Sequence, residues 1–85
     1  MIYGVFSIRD KATCFMSPIV DVSEKSAIRN FARAVNNPDG LMEFAPGDFD
    51  LYQIGTYDDQ TGKLEALSPV VMIASGSNMV GVRDA

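Results

Sequence analysis

The chemistry open to this chain is bounded first by a residue it lacks: there is no histidine among its 85 residues. Ser-His-Asp and Cys-His arrangements cannot be built without one. The lone cysteine, Cys14, cannot supply the four nitrogen and sulfur ligands of a structural zinc site. It also has no imidazole to draw off its proton. Between Thr13 and Phe15, in a run that reads as a strand, Cys14 is expected to be a small buried hydrophobe. Asp58 and Asp59 form a carboxylate pair of the kind that can share acid and base roles. They run into Gln60-Thr61-Gly62, however, where aspartates are ordinary turn residues. That loop lacks the alternating acids and closing glutamate of a calcium loop, and Gly76-Ser77-Asn78 is too short for a phosphate loop. The expectation is no catalytic residue, no metal and no cofactor: a protein that binds rather than an enzyme.

Two groups of residues suit binding. Lys25, Arg29 and Arg33 recur every four positions, so on a helix they make one basic stripe, suited to phosphates or to an acidic surface. Asn30, Asn36 and Asn37 lie close by with hydrogen-bonding amides. Tyr3, Tyr52 and Tyr57 fall in strand-like runs, and tyrosines on an open sheet can stack unpaired bases. Regular alternation puts Tyr52 and Tyr57 on opposite faces. A helix covering one face would also separate its stripe from tyrosines on the other, unless a dimer joined the two surfaces.

The elements that must carry these residues follow from periodicity. Residues 2–8 read as a strand, with Ile2, Phe6 and Ile8 on one face and Tyr3, Val5 and Ser7 on the other. Arg9-Asp10-Lys11 is a polar turn, and residues 13–16 read as the second strand of a hairpin. Ser17-Pro18 ends it. A capping box from Asp21 to Glu24, with Ser23 as a rival cap, opens a helix. Its apolar stripe is Ala27, Ile28, Phe31, Ala32 and Val35, and Asn36-Asn37-Pro38-Asp39-Gly40 stops it. Residues 41–46 make a short connection. Residues 49–57 read as a third strand, in which Gly55 marks a bulge or a close backbone approach. Residues 63–67 read as a fourth, and residues 70–74 as a fifth strand or a short helix. The expected class is α+β: a small antiparallel β-β-α-β-β sheet with one amphipathic helix on one face. Residues 1–74 form the domain, and residues 75–85 a glycine-rich C-terminal tail, loosely held unless Met79, Val80 and Val82 dock on a partner.

Eighty-five residues, 47 % of them hydrophobic, make one folded domain with a modest core. A homodimer would bury more apolar surface and is expected on that ground. No apolar run approaches the roughly 18 residues that span a bilayer, so no membrane role is expected. A single cysteine and a start without a basic leader point to a reducing cytoplasm. The net charge of −4 is uneven. Residues 1–33 hold five basic and three acidic side chains, and residues 34–85 hold two basic and eight acidic. Non-specific nucleic-acid binding runs on lysine and arginine, so only a local patch in the first part can serve it.

Three segments taken together resemble a known family: Tyr3-Gly4-Val5-Phe6 with Asp10-Lys11-Ala12 and Pro18; Ala27-Ile28-Arg29-Asn30-Phe31; and the run from Pro46 through Asp48-Phe49-Asp50-Leu51-Tyr52-Gln53-Ile54-Gly55-Thr56-Tyr57-Asp58, followed by Thr61-Gly62. They are similar to the small non-structural protein of gokushovirus-type microviruses, single-stranded DNA phages of bacteria. The resemblance covers about residues 3–67 and does not extend past Pro69. It implies a non-structural, DNA-binding accessory protein in the host bacterial cytoplasm. By analogy it implies a role in genome replication or packaging, like that of the small microvirus protein that turns duplex synthesis to single-strand synthesis. It supplies no catalytic residues, and Arg29 is the basic residue of the helix stripe that falls within a matching segment.

Two functions follow as expectations. In the first, the chain binds single-stranded DNA through Lys25, Arg29, Arg33, Tyr3, Tyr52 and Tyr57. In the second, it docks on a phage or host protein, with its acidic balance, its five methionines and its apolar tail as the contact features.

Overall fold

The computed structural model describes residues 1–82. Strand β1 (Ile2–Asp10) is central, with β2 (Ile19–Asp21) on one side and β3 (Phe49–Asp58) on the other, and β4 (Leu64–Ser75) closes the far edge. All neighbours are antiparallel. Helix α1 (Glu24–Val35) crosses one face, and a single turn, α2 (Leu41–Phe44), leads on to β3. The fold is therefore α+β in the order β-β-α-β-β.

Helix α1 begins where a side chain can take up an orphan N–H. Ser23 Oγ accepts the Ser26 N–H at 3.1 Å, so Ser23 rather than Asp21 is the cap. The apolar stripe of α1 buries Ala27, Phe31 and Val35 against Phe6, Phe49 and Leu51 of the sheet. Ile8, Ile28, Ile73, Ala74 and Met79 pack around them. We call this the inner face; the outer face carries no helix.

Three elements differ from the sequence reading. Residues 13–16 do not form a strand. They fold back along β1 with one bridge, Arg9 to Phe15, and the paired strand is the later Ile19–Asp21. The peptide groups of that stretch turn back on β1: Asp10 N–H donates to the Cys14 carbonyl and Met16 N–H to that of Ile8. Cys14 is consequently exposed, not buried. The two separate elements expected at 63–67 and 70–74 are one long strand, β4, which starts at Leu64 and whose residues 67–70 lie between the pairs Gly55–Ala66 and Gln53–Val71.

The expected tail is also fastened over most of its length. The Asn36 side-chain amide donates to the carbonyls of Met79 and Val82 and accepts the Gly81 N–H, all within 2.8–3.0 Å. Gly76 is buried, and a Cβ there would collide with the carbonyls of Pro46 and Phe49. Residues 83–85 of that tail lie outside the described residues. Among the described residues, no helix is long and apolar enough to cross a membrane.

Candidate nucleic-acid interface

Side chains alternate along a strand, so residues of β1 with odd numbers from Tyr3 to Arg9 share the outer face. Each brings its partner on β3 to the same side. Tyr3 pairs with Tyr57, Val5 with Gly55, Ser7 with Tyr52 and Arg9 with Asp50. Between Val5 and Phe6 the register slips, because Ile54 of β3 has no partner on β1. This bulge resets the alternation. Tyr52 and Tyr57 therefore lie on one face, not on opposite faces, and Tyr3 lies with them. Gly55 is needed beside the bulge because a Cβ there would run into the Glu65 carbonyl oxygen of β4.

The outer face is richer in aromatics than the tyrosines alone. Phe15, brought over by the fold-back, meets Tyr52 edge to face with ring centroids 5.3 Å apart. The Arg9 guanidinium lies 5.8 Å from the centre of the Phe15 ring, a cation–π distance. Tyr3 and Tyr57 make a second pair at 6.3 Å, tilted by 34°. Between the two pairs runs a row of small or short residues, Val20, Val5, Gly55 and Ala66, matched across all four strands. Met72 stands beside Tyr52 and Leu64 beside Tyr57.

An antiparallel sheet with one solvated face normally carries polar side chains there. Here Phe15, Val20, Leu64 and Met72 are all exposed, and Tyr3, Tyr52 and Tyr57 are half-buried. Such a surface can stack flat apolar rings and, through Arg9, meet a negative charge.

Two carboxylates bound it. Asp50 is buried, and one of its oxygens lies 3.4 Å from Lys11 Nζ. Lys11 is held there by bonds to the carbonyls of Gly47 and Asp48. At the other end, Asp59 accepts from the N-terminal ammonium at 2.6 Å. That hydrogen bond, reinforced by the ammonium charge, lowers the Asp59 carboxyl below its usual value of 3.8. Asp59, as an acceptor and as a negative charge, in turn raises the Tyr3 phenol above its usual 10.0.

The basic stripe is elsewhere. Lys25, Arg29 and Arg33 are exposed on α1, with the inner-face core between them and the sheet. None of the three has an ion-pair partner among the described residues. Arg33 borders an open cleft with Asn37, Pro38 and Val82. Asn30 donates to Asp21 at 3.0 Å, and Asn36 is committed to the C-terminal segment. The fold thus unites Tyr3, Tyr52 and Tyr57 and leaves Lys25, Arg29 and Arg33 on the opposite side of the chain. Sequence reasoning missed Phe15 and Arg9. The signal for both was the polar run after Ile8, although the turn itself falls later than Arg9-Asp10-Lys11: Arg9 and Asp10 end β1, and the chain reverses over residues 11–13, where the Thr13 N–H donates to the Asp10 carbonyl.

Residues 3–79 match the protein family described as Phage ORF5 protein. Neither a curated protein nor a solved structure matches the chain.

Proposed function

The chain belongs to the Phage ORF5 protein family, and from that premise we propose that it is an accessory protein that binds single-stranded DNA on the outer face of its sheet. In this reading the phage is of the gokushovirus-type microvirus kind, and the protein works in the host cytoplasm during genome replication or packaging. It acts by binding, without catalysis. The observation that carries the reading is the convergence of Tyr3, Tyr52, Tyr57 and Phe15 on one helix-free face, with Arg9 beside them. Aromatic rings stack any base, and a cation beside them meets the backbone phosphate. The overall charge of −4 keeps the sequence-independent attraction to duplex DNA weak. Selectivity for unpaired strands then rests on stacking, which a closed duplex does not offer.

Lys25, Arg29 and Arg33 act at longer range in this account. On one protomer they cannot touch a strand lying on the tyrosines. In a homodimer the stripe of one copy can flank the sheet of the other.

Titrating a fluorescent single-stranded oligonucleotide at about 50 mM salt, beside a duplex of the same sequence, tests the proposal. The single strand should bind more tightly, and its affinity should fall as salt rises. No anisotropy change at high micromolar protein, or equal binding of the duplex, overturns it.

A second reading rests on Val20, Leu64 and Met72, exposed on the same face. Aromatics, methionine and arginine are also the residues enriched at protein interfaces. A phage or host protein docked there would compete with DNA for one surface.

A further inference from the structure

The outer face has a fixed spacing, and we infer from it that the site reads three consecutive nucleotides, stacking the first and third bases and leaving the second unstacked. The inference rests on the single-stranded DNA reading and adds a register to it. One aromatic platform is Tyr3 with Tyr57, the other Tyr52 with Phe15. Their β1 anchors are Tyr3 and Ser7, four residues apart, which is about 13 Å along a strand. A strand lifted out of its stack spaces its bases at roughly twice the 3.4 Å rise of duplex DNA. Two neighbouring bases therefore cannot reach both platforms, whereas bases one nucleotide apart can.

The middle position is built differently. Its floor is Val5, Gly55 and Ala66. Val5 is buried and Gly55 has no side chain, so this row offers neither a ring nor a charge. Nor can the row be filled from Gly55, since any side chain there meets the Glu65 carbonyl. Arg9, two residues beyond Ser7 on the same face, lies past the Tyr52–Phe15 platform, where the phosphate flanking the third base runs.

Thymidine trimers with one abasic position test the spacing at constant charge and constant base number. The abasic site is placed in the middle or at an end, and binding is followed by NMR titration of the tyrosine rings. The trimer with the middle base missing should bind at least about fivefold more tightly than one with an end base missing, the value of one stacked base. Tyr3→Ala and Tyr52→Ala should each remove that difference. Equal binding, or tighter binding of the trimer with two adjacent bases, overturns the register. Binding of long oligonucleotides with no trimer binding also overturns it while leaving the DNA reading intact. Failure of every single-stranded oligonucleotide to bind overturns both.

Discussion

Tyr52 and Tyr57 stand five residues apart on β3 yet face the same side of the sheet, because Ile54 between them is bulged out of the ladder with β1. Without the bulge, a spacing of five would send one of them into the core under α1. The outer-face cluster thus depends on one irregularity, and Gly55 makes room for it.

Gly55→Ala should destabilise the fold by about 1–3 kcal/mol, as added bulk in a closed site does. The Cβ would meet the Glu65 backbone, which cannot swing away as a side-chain tip can. Urea unfolding of the two proteins measures the difference. A wild-type midpoint would show that β4 yields freely at this point.

Phe31 is the central helix residue of the core and is 2 % exposed. Phe31→Ala should cost about 3–5 kcal/mol. In a domain of this size that is much of the total stability, so a largely unfolded protein at room temperature, read by circular dichroism, is the expected result. A near-neutral effect would contradict the packing of α1 on Phe6 and Leu51.

Asn36 closes α1 and holds the segment that follows β4. Asn36→Ala removes its side-chain bonds to the Met79 and Val82 carbonyls and to the Gly81 N–H. Amide hydrogen exchange should rise by at least an order of magnitude over residues 79–82 while β1 and β3 keep their protection. Unchanged exchange in that segment would mean that Met79 packing alone holds it.

Asp59 and Tyr3 titrate in opposite directions. The Asp59 carboxyl is lowered in the fold, so its contribution to stability is complete above about 3.8 and is lost as pH falls through its lower folded value. The Tyr3 phenol is raised, so its contribution is present below about 10.0 and is lost as pH rises through its higher folded value. Asp59→Asn removes the charge that raises Tyr3. Ultraviolet titration should therefore show one tyrosine ionising earlier in the variant. No change in the tyrosine titration would break the link between the two residues.

Much of this fold is legible in the residues themselves. The stripe of Ala27, Phe31 and Val35, the Ser23 cap and the alternation of β1 are local signals, and each corresponds to an element that forms. What is not legible is non-local. The outward side chains of β3 depend on a slip in register against β1, and Gly55 marks its neighbourhood without giving its direction. Thr13-Cys14-Phe15-Met16 has strand-like composition, but its backbone bonds close a fold-back on β1, which exposes Cys14 and carries Phe15 over Tyr52. Asn36 reads as a helix stop and is one, yet its bonds to Met79 and Val82 span more than 40 residues. The basic stripe and the tyrosines are each visible in sequence; that α1 and the sheet turn them to opposite sides is a consequence of packing.

Comparing two variants on one labelled single-stranded oligonucleotide shows whether the outer face stacks unpaired bases. Tyr52→Ala with Tyr57→Ala removes a ring from each platform; Arg29→Ala with Arg33→Ala removes charge from the far side. The tyrosine pair should lose about 2–6 kcal/mol of binding, the value of two stacked bases. The arginine pair should lose far less and mainly flatten the salt dependence. Full affinity in the tyrosine variant, with binding abolished in the arginine variant, would contradict the account and move the site to α1.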